Sequence, residues 1–289
     1  MYNVRVKKFL DTEQIQIYSK NMLSASDKVS VDLETGEFLK NGKRPKSDKG
    51  QLEYNPFTDK CEKMYKFTDP DRSLSVSFAR TKTKVYDVAR SNHWEWFLSL
   101  TFSPDNVCRQ SYDDCAKKLS QWLNNARKVA PNMKYVVVPE LHKDKVSWHF
   151  HGLFSNIDEL GLEFNGHYYK GRKCYDVFKY KLGHVTAIRS DGSPKIVSYI
   201  MEYVTKDLCS LTKGRKRYWT SRNLDKPEII DIQVDDLVDF RRSMVEQSGF
   251  VKTVNGEYLD VTYIEVEKGS SEAELFGEQS IRQISTCLF

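Results

Sequence analysis

The sequence predicts an α+β protein: an antiparallel sheet with flanking helices, extended on its N- and C-terminal sides. Three observations point there. Short apolar runs of strand length recur between residues 94 and 189. One long stretch, 112–129, carries its apolar residues at helical spacing. The pieces follow one another as strand, helix, strand, strand, strand, helix, which suits an antiparallel sheet with its helices on one face.

Residues 1–90 are polar and broken by turn signals at Thr35-Gly36, Asn41-Gly42 and Asn55-Pro56. Alternating runs such as Ser73-Leu74-Ser75-Val76-Ser77-Phe78 suggest a few strands there. This stretch forms an N-terminal accessory region without recognisable chemistry. Order sharpens in a core over 91–224. Phe97–Phe102 is a compact strand, ended by Ser103-Pro104. In 112–129, Cys115, Leu119, Trp122, Leu123, Ala126 and Val129 make one stripe, with Pro131 beyond its end. Met133–Val138 and Trp148–Phe154 are the next strands, joined through Lys143-Asp144-Lys145. An irregular, basic insertion fills about 156–181, and Gly183–Arg189 reads as a fourth strand. Ser193 then caps a helix with Pro194 at its first position. Residues 225–289 form an acidic C-terminal region.

Charge follows the same division. Net charge is +5 overall, but residues 225–289 hold 14 acidic and 6 basic side chains, leaving the first 224 residues at +13. A basic body beside an acidic tail fits a polyanionic partner for the body. No apolar run reaches the roughly 20 residues of a membrane span, so no membrane partner is expected. The start, Met1–Lys8, has neither a long apolar segment nor a small-residue cleavage site, so no secretory signal is expected. The six cysteines are scattered without a C-x-x-C pair and read as reduced packing residues.

The second and third strands allow a register to be worked out. With Asp144-Lys145 as a two-residue tip, or with a four-residue loop over 143–146, facing residue numbers sum to 289. Glu140 then lies opposite His149. Alternation along the strand puts His151 on the face of His149 and turns Phe150 away. Facing Cβ atoms sit about 4.5–5.5 Å apart. One carboxylate and two imidazoles thus converge where a divalent cation, Mg²⁺ or Mn²⁺, can bind and keep positions open for a phosphate oxygen. His142 shares the face but is not counted among the ligands.

The helix after Ser193 places Ile196, Val197, Ile200, Met201, Val204 and Leu208 on one apolar face. Tyr199, Tyr203 and Lys206 fall within about 60° of one another, away from its centre. A phenol has an ordinary pKa near 10 and attacks phosphate poorly alone. A divalent ion that polarises the phosphodiester, with Lys206 as a point charge, makes covalent phosphotyrosine chemistry feasible.

These residues carry a resemblance. Phe97–Phe102, Trp148-His149-Phe150-His151-Gly152-Leu153-Phe154 and Tyr199–Lys206 resemble, in that order, the three motifs of HUH endonucleases. The spacing Tyr-x-x-x-Tyr-x-x-Lys is similar to that of the two-tyrosine rolling-circle replication initiators of small single-stranded DNA phages and plasmids. The resemblance covers about residues 94–224. It implies an RRM-like nuclease core and metal held by His149 and His151, with Tyr203 and Tyr199 as nucleophiles. The expected reaction nicks single-stranded origin DNA, giving a 5′-phosphotyrosine and a free 3′-OH primer. The implied setting is the cytoplasm of a bacterial host, with host helicase and polymerase as partners, since no G-x-x-x-x-G-K-[ST] occurs in the chain. Glu202 stands where many such proteins carry a lysine, which leaves the lysine role to Lys206. Downstream, Lys213–Arg222 mixes cations with aromatics: Lys216, Arg217 and Arg222 suit phosphates, and Tyr218 or Trp219 suits base stacking. A single-strand transposase of the same superfamily and a metal-stabilised, non-catalytic nucleic-acid-binding module are the competing readings.

Overall fold

The computed structural model describes residues 1–23, 30–31, 38–39, 51–55, 60–64, 70–246, 248, 250–256 and 259–267. The chain begins with strands β1 (Tyr2–Lys8), β2 (Thr12–Met22), β3 (Ser30–Val31), β4 (Phe38–Leu39), β5 (Gln51–Asn55) and β6 (Lys60–Met64). Helix α1 (Pro70–Arg90), β7 (Trp96–Thr101), α2 (Tyr112–Val129), β8 (Lys134–Leu141) and β9 (Trp148–Ser155) follow. Next come β10 (Leu162–Tyr169), β11 (Arg172–Val177), β12 (Val185–Arg189), α3 (Lys195–Glu202), α4 (Lys206–Leu211) and β13 (Trp219–Thr220). The last elements are β14 (Glu228–Ile232), α5 (Leu237–Glu246), β15 (Phe250–Val254) and β16 (Val261–Glu267). The fold is α+β with antiparallel sheets, as the sequence predicts. No helix among the described residues is long and apolar enough to cross a membrane.

Two compact units divide these elements: Met1–Asp69 with Glu228–Phe289, and Pro70–Pro227. The terminal regions, separate extensions on the sequence reading, share one sheet of order β14-β1-β2-β16-β15. Arg5 on β1 grips Asp231 on β14 with two hydrogen bonds of 2.6 and 2.9 Å, and Val4, Val6, Ile15, Ile17, Met244 and Ile264 form this unit's core. The pairs β3–β4 and β5–β6 are short antiparallel hairpins. The turn signals Thr35-Gly36 and Asn41-Gly42, and Pro56, lie outside the described residues. Asn55 ends β5.

In the second unit seven antiparallel strands run in the order β10-β11-β12-β7-β9-β8-β13. Strand alternation separates its faces. Trp148, Phe150 and Phe154 of β9 point to the α2 side, where Trp148 meets Tyr112 at 4.7 Å and Phe154 meets Trp122 at 6.3 Å. Helix α2 occupies the predicted span; Ser111 caps it by accepting from the Asp114 N–H. Cys115, Leu119, Trp122, Leu123 and Ala126 are buried as the stripe requires, whereas Val129 at the frayed end is 41 % exposed. The other sheet face meets α3, and α1 packs against both α3 and α4. Helices therefore cover both faces, not one.

Two further expectations change. Residues 73–78 are helix, not strand: Leu74, Phe78, Thr81, Val85 and Ala89 give α1 one inward stripe at three- and four-residue spacing, which the local period-two pattern conceals. The expected irregular insertion contains the β10–β11 hairpin, which pairs with β12 and extends the sheet. Cys115, Cys174 and Cys209 are buried, as packing residues would be, whereas Cys108 is exposed.

The end of β7 continues to pair past its last residue, with the Thr101 N–H donating to the His184 carbonyl (2.8 Å) and the Ser103 N–H to Leu182 (2.9 Å). Gly183 is the residue trapped in that crossing: a Cβ there would collide with the Thr101 carbonyl and stand 2.7 Å from the Phe102 carbonyl carbon. Gly183→Ala should cost about 1–3 kcal/mol by overpacking. All five tryptophans lie in the Pro70–Pro227 unit, so a lower urea midpoint in tryptophan fluorescence checks it; an unchanged midpoint would mean the backbone yields freely there.

Candidate active site

The hairpin of β8 and β9 has the register deduced from sequence, with Glu140 opposite His149 and Val138 opposite His151. Its loop is the four-residue alternative. The His142 N–H donates to the Ser147 carbonyl (2.8 Å), closing 143–146, and Lys145 takes a left-handed φ of 57°. Asp144 Oδ1 accepts the Val146 and Ser147 N–H groups at 2.9 and 2.8 Å. Those donors hold the Asp144 carboxyl well below its usual range. Turn chemistry thus pins the register that brings the donors together.

His151 is the hub. Its Nε2 lies 2.7 Å from Glu140 Oε2, and its Nδ1 lies 3.0 Å from the Ser99 hydroxyl, contributed by the facing residue of β7. Phe97 stacks near the ring at 5.7 Å, and Tyr203 stacks at 4.0 Å with an interplanar angle of 13°. The hydrogen bond with His151 keeps Glu140 ionised below the ordinary carboxylate pKa, against the opposing effect of burial. His149 stacks on His142 at 4.4 Å. Burial first, then the neighbouring imidazoles, lowers the pKa of His149 and so favours the neutral ring a metal ligand needs. One carboxylate oxygen and two or three imidazoles are the right donor types for a divalent cation. Among the described residues no three such side chains are already gathered as a finished cage. The Glu140–His151 contact is closed, and Glu140 would have to turn from it to admit an ion.

The tyrosines meet this cluster from α3. Phe97 packs against both, 4.9 Å from Tyr199 and 6.5 Å from Tyr203, while the two phenol rings meet edge to face at 5.6 Å. Tyr199 is 38 % exposed. Tyr203 is half-buried, and burial, the hydrogen bond with Tyr199 and the charge of Glu140 together raise its phenol far above the usual value.

The helix itself is not continuous. Pro194, not Ser193, is the cap position of α3, although the Ser193 hydroxyl still accepts from the Lys195 N–H (3.1 Å). The helix ends at Glu202 with Tyr203 as its C-cap, and Thr205 caps α4 by accepting from the Leu208 N–H (3.0 Å). Lys206 is therefore the first residue of a new helix and is exposed. The one-turn spacing from Tyr203 to Lys206 does not exist. Thr205 followed by acidic Asp207 is the start signal that the apolar periodicity overrides.

The basic segment divides in two. Trp219 is 2 % exposed, donates to the Ser120 hydroxyl at 2.9 Å and packs edge to face on Phe150, so its ring belongs to the core and cannot stack on a base. Arg217 donates to the Cys209 carbonyl (3.0 Å), to Thr212 Oγ1 (3.3 Å) and to the Ser77 hydroxyl, fastening its loop to α4 and α1. Arg222 is exposed. Lys216 is exposed and lines a groove of about 380 Å³ with Arg80, Lys84, Arg215 and Tyr218. Arg80 and Lys84, one helical turn apart on α1, escape a reading of the sequence because the start of α1 imitates a strand.

In the metal-free protein the His149 ring should titrate below 6.5, its neutral form persisting to more acid pH than that of a free histidine. NMR titration of the ring protons checks this; a midpoint above 6.5 would mean that Glu140, not burial, governs the site.

Residues 95–208, less than half of the chain but including β7, the β8–β9 hairpin and the tyrosine helix, match the family model of the ORF2-type replication-associated protein. No curated protein and no solved structure matches the chain. The family match supports a protein of the replication-initiator type.

Proposed function

We propose that this chain starts rolling-circle replication by nicking single-stranded origin DNA through tyrosine attack assisted by a divalent cation. The observation that carries the reading is the stack of Tyr203 on His151 at 4.0 Å, with Glu140 bonded to the far edge of the same imidazole. Residues 140, 151 and 203 come from three separate elements and meet at one point, inside the segment that matches the replication-associated family. A structural histidine pair needs no such phenol beside it.

Glu140, His149 and His151 would hold Mg²⁺ or Mn²⁺, with Ser99 fixing the His151 ring through Nδ1. The ion would supply Lewis-acid polarisation of the phosphodiester and positive charge beside a phenol that is hard to ionise. Tyr203 Oη forms the new O–P bond as it loses its proton. The P–O3′ bond breaks, the leaving 3′ oxygen takes up a proton, and the 5′ phosphate stays on the tyrosine. Tyr199, more exposed and at the edge of Tyr203, is placed to take a second strand end. Lys206 acts, in this reading, only as a phosphate contact at the start of α4. DNA reaches the protein through Arg80, Lys84, Arg215 and Lys216, with Arg222 as a separate exposed phosphate contact. Host helicase and polymerase would extend the primer, in the cytoplasm of a bacterial host.

With single-stranded origin DNA and Mn²⁺, the protein should form a covalent adduct that chelation abolishes. Tyr203→Phe should reduce that adduct at least 100-fold (on the order of the loss when a group acting in the transition state is removed), while Tyr199→Phe keeps it and loses the second transfer. Peptide mapping checks this, and a DNA-linked residue other than these two tyrosines overturns the assignment. Replacing Arg80, Lys84 and Lys216 together should flatten the salt dependence of single-strand affinity by about 0.7 for each phosphate no longer neutralised. An unchanged slope in filter binding would move the DNA path away from this groove.

A further inference from the structure

The β10–β11 hairpin takes no part in the proposed chemistry, yet it displays large rings: Phe164 is 40 % and Tyr168 62 % exposed. They belong to a series. Tyr168 meets Phe164 at 5.5 Å, Phe164 meets Tyr175 at 6.0 Å, and Tyr175 meets Trp96 at 5.3 Å. Cations interleave it, with Lys173 Nζ 5.3 Å from the Phe164 ring centre and the Arg189 guanidinium 5.9 Å from Trp96. Arg172, Lys173, Tyr175 and Arg189 also line a pocket of about 310 Å³, in which Asp191 pairs with Arg172.

Register places the series. Tyr168 faces Lys173, Phe164 faces Tyr175, Tyr175 faces Ala187, and Arg189 faces Trp96. All share the sheet face opposite to that of His149 and His151. Between residues 162 and 189, six Lys and Arg stand against the two carboxylates Glu163 and Asp176. A protein-binding patch gathers apolar area at its centre and is depleted in lysine. Exposed rings alternating with cations are what successive bases and phosphates require.

We propose that this aromatic ladder is a second nucleic-acid site, binding single strands by stacking bases on Phe164 and Tyr168 while Lys173 and Arg189 meet the phosphates. Because it lies on the other face from the tyrosines, it holds a different segment of strand from the one being cut. The site does not depend on the nicking chemistry.

The test uses the full chain carrying Tyr199→Phe and Tyr203→Phe, so that no covalent capture contributes, and fluorescence anisotropy of labelled oligothymidylate. Adding Phe164→Ala and Tyr168→Ala should weaken binding about 30-fold, the low end for two stacked bases, and leave duplex binding unchanged. Phe164→Trp with Tyr168→Trp should retain affinity, and tryptophan fluorescence of the alanine variant reports whether the unit stays folded. Unchanged affinity in the alanine variant, equal loss for duplex, or loss in the tryptophan variant overturns the ladder. A separate adduct assay on the otherwise unaltered chain distinguishes the two readings. If it forms no adduct while the alanine variant still loses single-strand affinity, the nicking proposal falls and the ladder stands.

Discussion

Everything at the site hangs on the pairing of β8 with β9. Side chains alternate along a strand, so a slip of one residue would turn His149 and His151 into the α2 core and bring Phe150 out beside Glu140. Several independent features hold the pairing where it is. Asp144 gathers two N–H groups of the loop, Lys145 accepts the left-handed turn, and Phe150 and Phe154 fill an aromatic core that imidazoles could not. Ser99 then ties the third strand to the same ring. The chemistry of the hairpin is set by the apolar side chains on its opposite face.

This separation of faces also explains the aromatic residues around the cluster. A sheet buried on one side only would leave the histidines in water, where a neutral imidazole and a carboxylate gain little from each other. Covering the second face with α1, α3 and α4 buries His151 and half-buries His149, and the same burial that favours a neutral His149 raises the phenol of Tyr203. One environment thus favours the neutral imidazole and holds the phenol in its protonated form.

The legibility of these features in the sequence follows from how local their causes are. The span of α2 and the hairpin register are readable because a capped helix and a short loop are fixed by residues close in sequence. Ser73–Phe78 misleads because the serines between Leu74, Val76 and Phe78 imitate a strand, and only packing against α3 and α4 settles the matter. The break at Tyr203 is hidden because Val204 and Leu208 continue the apolar stripe of α3 across it. Trp219 resembles a stacking residue among cations. Its burial depends on β13 pairing with Val136 and Val137, far back in the chain. Ser99 and Arg80 carry no sequence signal at all, since their importance comes from what faces them in space.

The sharing of one sheet by the two terminal regions has a consequence for synthesis. Residues 70–227 form one compact unit from a continuous stretch of chain, and every strand of its seven-stranded sheet pairs within that stretch. Strands β1 and β2 are made earlier but pair on their outer sides with β14 and β16, more than 200 residues later. Until then the hairpin has two open edges, a template for pairing with other nascent chains. Arg5, Lys7, Lys8 and Glu13 lie along those strands, and charge on an open edge discourages such pairing. Closing of the shared sheet therefore awaits the C-terminal strands, and β1 and β2 gain their outer partners only when those strands exist.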